Sequence, residues 1–497
     1  MIGDIEKFGV RGTGEYTFTA EKQHPLKYSK GALAESWEIT GDKVVLNIRR
    51  GVYWTGLSIN PVMEKRLYTA DDYVFNLRRF LDMPGGTGLR GQAWISTPYA
   101  ETIYAEDDYT VVIETDFFHP EWYYQLIGIF GQQLSPETVA AGPRQWENLV
   151  GTGPFYIKDY APGSYMIYGA NPYYYRTTTV DGIEYKVPFV DEMIAPLVAD
   201  EVTQVAALRT GKLDALTYVD TPYMPSLAKT NPELLNRVAG WDGSWVLFMK
   251  VDEGPPLDDV MVRRALFIGT DLLSLAKMVG HTELDYNRPI HPGTPGYIPL
   301  AELPASAQEK YDYDPTKAKQ MLADAGYPDG FSLDMFVFNE WPFTADIAEM
   351  VSGMWQQIGV EVSLEVITDT ATGFSRMLER DFNETMLTIG GASSLAALRS
   401  AYHSEGTANS SGYFSDEIDA LIDEAFITVD EAEQAAILRE LTLLVHEATM
   451  SIPFSYPPKF YYWWPWLKNY YGGGWGLHTI AYDLMWIDQT MRTDMGY

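Results

Sequence analysis

The sequence predicts a mixed α/β or α+β protein built from several units, and three observations carry that expectation. The first is size and composition: 497 residues, 46% hydrophobic and 21% charged, make roughly two to four units at about 150 residues each, with ample apolar material for cores. The second is that alternating stretches and stretches with apolar residues three and four apart follow one another along the whole chain. The third is the lack of a repeat on the order of 20 to 50 residues and of any low-complexity tract, so neither a solenoid nor a tether is expected.

Lys43–Arg50 alternates, with Val44, Leu46 and Ile48 on one face and Val45, Asn47 and Arg49 on the other, the signature of a half-buried strand. Tyr109–Thr115 repeats it. A helix is expected from Thr69, with Asp71 and Asp72 near its positive end, through Val74, Phe75, Phe80 and Leu81 until Met83-Pro84-Gly85-Gly86 stops it. Asp200–Leu208 reads as a helix closed by Gly211, followed by a strand over Leu213–Val219. Asp314 is a good N-cap and Pro315 suits the first helical position; Ala318, Met321, Leu322 and Ala325 then share a face before Gly326. Ile347, Met350, Met354 and Ile358 form a similar stripe ended by Gly359, and Val360–Ile367 alternates after it, half of a βαβ-type unit. Helices at Asp416–Phe426 and Glu431–Ala448 complete the pattern.

Composition excludes several functions. The 36 Lys and Arg against 68 Asp and Glu leave a formal charge of −32, which repels phosphate backbones and anionic membrane surfaces. Without cysteine there is no disulfide, thiolate nucleophile or zinc ribbon. No apolar run is long enough to span a bilayer, and the opening MIGDIEKFGVRGTGE lacks the features of a secretory signal. Gly86-Thr87-Gly88-Leu89-Arg90-Gly91 fits G-x-G-x-x-G but follows a helix and a turn instead of a strand, so it reads as a loop. The seven histidines stand apart, and acidic runs such as Asp416, Glu417, Asp419, Asp423 and Glu424 read as solvated faces; no metal or cofactor is expected. Aromatic residues are more telling. Tyr173-Tyr174-Tyr175, Trp241 with Trp245, and Tyr461-Tyr462-Trp463-Trp464-Pro465-Trp466 offer faces for cores, domain seams or a flat apolar solute.

The longer strings carry a resemblance. ALAESWEITGDKVVLNIRRGVYW from Ala32, YTADDYVFNLRRFL from Tyr68, GTGPFYIKDYAPGSYMIYGANPYYY from Gly151, PPLDDVMVRRALFIGTD from Pro255 and YDYDPTKAKQMLADAGYPDGF from Tyr311, then IGVEVSLEV and GYFSDEIDALIDEA, stand in the order and spacing of the family 5 extracellular solute-binding proteins. The chain is identified as a member of that family, the peptide, oligosaccharide and nickel receptors of ABC importers. The resemblance implies a two-lobed periplasmic-binding-protein-like clamp (type II, cluster C) with an extra strand-rich subdomain in the first lobe. Residues 1–40, 180–249 and 463–497 would form the first lobe, 41–179 its extra subdomain and 250–462 the second lobe, with hinge strands near 246–251 and 453–462. Only 32 residues precede Leu33, fewer than the family usually carries, so a first strand is expected to be missing or replaced.

On this resemblance the chain would capture a small organic solute, an oligopeptide or oligosaccharide, outside the cytoplasmic membrane. It would act as a monomer in the periplasm or, held by a lipid anchor, on the extracellular face of the cytoplasmic membrane, possessing no catalytic residues, and would deliver its load to ABC permease membrane subunits. Peptide-binding members pair the ligand's α-ammonium with an acid on a strand that here reads TMLTIGGASSL from Thr385, without one. A buried ammonium lacking a counter-charge would cost roughly several kcal/mol, which disfavours a free-amine peptide there. The expected solute contacts are Tyr218, Trp245, Asn339, Glu340, Trp341, Ser393 and Tyr456: the two tryptophans stack, Asn339 and Glu340 hydrogen-bond, and Glu340 stands in for the absent acid. The competing class is a secreted glycan-acting hydrolase, which an acidic, aromatic-rich, cysteine-free chain also suits.

Overall fold

The computed structural model describes every residue except 1, 17, 19–25, 41, 83–94, 97, 117–132, 239–242, 282–283, 285–288, 291–295, 341–342, 392–394, 429, 456–457 and 473–481. The expected Gly86–Gly91 loop, Trp241, Trp341, Ser393 and Tyr456 lie outside the described residues. The chain divides into two units, Met1–Gly240 with Lys459–Tyr497, and Trp241–Pro458.

In unit 1, strands β1 (Ala34–Thr40), β2 (Lys43–Ile48), β3 (Ile103–Asp107) and β4 (Thr110–Glu114) form an antiparallel sheet of order β1-β2-β4-β3. Val44, Leu46 and Ile48 turn inward as their alternation requires, against Tyr73, Val74, Leu77 and Leu81 of α1 (Ala70–Asp82). The Asp72 carboxylate accepts from the Thr69 backbone N–H at 3.0 Å, satisfying a donor ahead of the helix. Next come β5 (Phe155–Ala161), β6 (Tyr165–Ala170), the hairpin β7 (Thr177–Val180) and β8 (Ile183–Lys186), and β9 (Glu192–Pro196), which adds to β6 in a sheet of order β9-β6-β5. β1 pairs with β2 across the expected limit at residue 40. β9 likewise carries its second sheet past residue 179.

Asp200 caps α2 (Glu201–Arg209) by accepting from the Thr203 N–H, and β10 (Ala215–Asp220), α3 (Met224–Thr230) and β11 (Leu235–Val238) follow. The chain then enters unit 2. There β12 (Gly243–Met249), α4 (Val260–Ile268), α5 (Pro315–Asp324), β13 (Phe331–Phe338), α6 (Thr344–Gln357), β14 (Val360–Ile367), α7 (Thr370–Glu379), β15 (Thr385–Gly391), α8 (Leu395–Tyr402), α9 (Asp416–Ile427), α10 (Glu431–Ala448) and β16 (Ser451–Phe454) succeed one another. Asp314 caps α5 as expected, accepting from Lys317 N–H at 2.9 Å. β13 supplies the first half of the βαβ unit and runs parallel to β14 in full register, Phe331 opposite Val360 through Phe338 opposite Ile367.

The five strands of unit 2 form one sheet of order β14-β13-β15-β12-β16. Trp245, Leu247, Met249, Leu333, Met335, Val337 and Leu387 face α4, α5 and α6, while Val246, Phe248, Phe336, Phe338 and Met386 form the opposite apolar face. The chain passes between the units at Gly240/Trp241, a few residues before the expected 246–251 stretch, and β12 then pairs with β15 on one side and β16 on the other. The chain returns to unit 1 at β17 (Lys459–Trp463), which lies between β10 and β11, so the stretch expected as a second hinge is divided between β16 and β17.

Candidate solute-binding site

In α/β sheets, ligands sit outside the carboxyl ends of parallel strands, which in unit 2 directs attention to the ends of β13 and β15. β13 leaves the sheet after Phe338, although the Asn339 N–H still donates to Ile367 O at 2.8 Å. Its register with β15 ends at Val337 opposite Leu387. Past that point the pairing of β15 among the described residues is with β12: Thr388 opposite Val246, Ile389 opposite Trp245, Gly390 opposite Ser244 and Gly391 opposite Gly243. Among the described residues the sheet therefore ends in a step, where β15 runs beyond its register with β13.

Two of the expected contacts hold this step in place. Trp245 is 0% exposed and packs in the core of unit 2. Its Nε1–H donates to Thr344 Oγ1 at 2.9 Å, and its ring meets Phe343 edge-on at 6.5 Å. Phe343, at φ 68°, turns the chain into α6. Asn339 Oδ1 accepts from the Ala345 N–H at 3.2 Å, capping the same helix from the other side. A tryptophan alternating onto the helix-covered face of an inner strand is buried. Glu340 is exposed and accepts from Thr370 Oγ1, at the start of α7, at 3.2 Å.

Tyr218, in unit 1, is half-buried on β10 at φ 59°, where the register with β17 shifts, and its ring meets Tyr461 edge-on at 5.6 Å. A non-glycine residue in the left-handed region is a strained feature that clusters at functional positions. Two residues on, Asp220 pairs with Lys459 and donates its backbone N–H to Glu201 at 2.9 Å. Burial, then the neighbouring Asp220 charge, raises the Glu201 carboxyl above its ordinary range. Sequence reading missed the step itself. Its signal was present in Gly390-Gly391 ending one strand and Gly243-Ser244 opening another, since paired glycines in strands mark close approach of another backbone.

The other aromatic runs are structural. Trp464 and Trp466 stack at 4.4 Å with planes 5° apart, and their indole nitrogens donate to Leu208 O and Asp214 Oδ1, both at 2.8 Å. Tyr497 packs on both rings. The Tyr174 hydroxyl reaches Asp483 at 3.4 Å, and Tyr175 lies beneath Arg49.

Residues 29–409 match the family described as bacterial extracellular solute-binding proteins, family 5. The chain is 28% identical over 470 residues to heme-binding protein A of Haemophilus influenzae, covering 88% of this chain and 81% of that protein. It is 24% identical to di/tripeptide-binding protein 2 of Pseudomonas aeruginosa, covering 91% and 87%. A solved periplasmic binding protein of Helicobacter pylori, in complex with the peptide STSA, shares the fold with a TM-score of 0.73 at 21% identity, over 92% of this chain and 89% of that one. The fold and the match define a mixed α/β solute-binding receptor. The chain belongs to family 5 of the bacterial extracellular solute-binding proteins, the substrate-binding component of ABC importers. The family is periplasmic or extracellular, and its members bind solutes. Among the described residues no helix is long and apolar enough to cross a membrane.

Proposed function

We propose that this receptor carries an oligopeptide or a similar amide-rich solute to ABC permease subunits, without chemical change to the load. One observation supports the choice of solute: the four-residue step at the end of β15. An extended peptide can pair its own backbone with a strand that has a partner on one side only, and glycines there let it approach closely. An oligosaccharide lacks the periodic N–H and C=O groups to do so. The peptide named with the Helicobacter pylori structure and the di/tripeptides named for the Pseudomonas relative agree with this reading; the heme named for the Haemophilus relative does not bear on the step. Tyr218, Asn339 and Glu340 remain proposed contributors from the sequence, Glu340 as a substitute for the acid that β15 lacks. Ser393, Trp341 and Tyr456 stay proposed on sequence alone.

The test is a thermal-shift screen of di- to hexapeptides against oligosaccharides, followed by mass spectrometry of the solute. A cognate peptide at a hundred times its Kd should stabilise the folded chain by about 2.7 kcal/mol and be recovered intact. Stabilisation by oligosaccharides alone would sink the peptide assignment, and cleavage of the solute would favour the hydrolase alternative.

A further inference from the structure

Beyond solute capture, we infer that His403 is an acid-sensitive latch on the loop 403–412, in which protonation of the ring frees the Glu405 backbone N–H and turns Nδ1 toward Asp419. His403 follows α8 directly and is 4% exposed. Its Nδ1 accepts from the Glu405 N–H at 3.0 Å, so the ring is neutral in this state and its hydrogen sits on Nε2. Among the described residues Nε2 has no hydrogen-bond partner; it stands 3.5 Å from Asp423 Oδ1, which Arg399 already engages. A buried donor without an acceptor is rare. Asp419 Oδ1 lies 3.9 Å from Nδ1 and accepts from the Ser404 N–H at 2.8 Å.

These contacts suit two states of the ring. Imidazole is the side chain that ordinarily changes charge between about pH 5 and 8, and its charged form carries a hydrogen on each nitrogen. A hydrogen on Nδ1 would face the Glu405 N–H, donor against donor. It can turn instead to Asp419, while the Nε2 hydrogen keeps facing Asp423. The charged groups around the ring are Asp419 and Asp423 from α9, Arg399 from α8 and Glu405 from the loop, where Arg399 also reaches Glu405 at 3.4 Å. The charged ring therefore has a carboxylate for each hydrogen. The loop matters because it ties two parts of unit 2 together. His403 O accepts from the Gly406 N–H and from Asn409 Nδ2, and Ser411 O accepts from the Val251 N–H, just past β12, at 2.8 Å. Freeing Glu405 loosens one end of that tie, in a family that works in periplasmic or extracellular surroundings.

Hydrogen–deuterium exchange of the full chain, read by mass spectrometry on peptides spanning 403–412 and corrected for the intrinsic pH dependence of exchange, tests the latch. From about pH 8 to about pH 5, protection at Glu405 should fall about five- to tenfold, the worth of one hydrogen bond. His403→Asn, whose amide oxygen can stand in for Nδ1 and does not titrate, should hold its protection level across that range. Asp419→Asn, which removes the charge but keeps an acceptor for the Ser404 N–H, should move the fall to lower pH. Equal pH dependence in His403→Asn, corrected exchange that ignores pH in the parent, or an unmoved midpoint in Asp419→Asn would each overturn the latch. Circular dichroism checks that both variants fold, and Asp419→Asn decides by itself if His403→Asn does not.

Discussion

Unit 1 closes a core around Trp464, Trp466 and Tyr497 with segments that are far apart in sequence, whereas unit 2 builds its core on one five-stranded sheet from a continuous stretch of chain. The materials differ accordingly. Beside the small sheet β10-β17-β11, six consecutive residues from Tyr461 to Trp466 include five aromatic rings, all of them buried. In unit 2 the sheet buries Leu, Val, Met and Ile on the face toward α4–α6. A three-stranded sheet offers little area, so large rings supply the burial that a broad sheet obtains from many aliphatic side chains. The lesson for function is that the aromatic run Tyr461–Trp466 of unit 1 is structural, while the proposed solute contact in unit 2 is a strand end at Gly390-Gly391.

The largest expected effect breaks this contrast directly. Trp464→Ala should destabilise unit 1 by about 3–5 kcal/mol, because it removes a fully buried ring, its partner in the stack and the bond to Leu208 O. Urea unfolding followed by tryptophan fluorescence and circular dichroism should then resolve two transitions, with the unit 2 transition unmoved. A single transition shifted as a whole would show that the units do not unfold separately.

A smaller effect sharpens the description of unit 2. Lys310 is buried, donates to His446 O and, at 3.2 Å, to Thr449 Oγ1, and so satisfies one carbonyl and one hydroxyl at the end of α10. Burial, with the Arg264 charge adding to it, pushes its ammonium down to about 7. The folded chain therefore binds fewer protons than the unfolded chain between pH ~7 and ~10.5. This group's contribution is at its least favourable below pH ~7 and becomes more favourable as pH rises across that window. His446, pushed down to about 3 by burial and by Lys310, adds a loss of stability as pH falls from ~6.5 toward ~3. Melting temperatures read from pH 7 to 9 should rise more steeply for the parent than for Lys310→Met. Parallel slopes would remove Lys310 from the account.

The smallest expected effect concerns the step. Thr344→Val removes the hydroxyl that accepts from the buried Trp245 indole N–H, a cost of about 1–3 kcal/mol. If Trp245 positions the α6 start and not the solute, chemical denaturation should show that loss while the affinity of the best peptide changes by less than about threefold. A large loss of affinity with unchanged stability would return Trp245 to the solute.

Much of the fold was legible because its signals are local. Asp314-Pro315, Asp200 and the stripes in α5 and α6 fix their own helices through caps and spacing, and the alternation in β2 fixes its buried face. The site was legible only in part. Asn339 and Glu340 follow from the end of a strand, but the role of Trp245 depends on which face of β12 is covered by α6, and that is a long-range fact. Ser244 and Thr388 carried no signal as residue types.

By itself the sequence determined the family, the order of helices and strands, the lack of an acid in β15 and the charge that excludes nucleic acid. Each is a property of contiguous residues or of their order. Tertiary structure alone decided that β12 lies between β15 and β16, that β17 lies between β10 and β11, and that Thr388 is buried. Strand neighbours hundreds of residues apart are chosen by burial and by backbone hydrogen bonding over the whole sheet, and no local pattern encodes that choice.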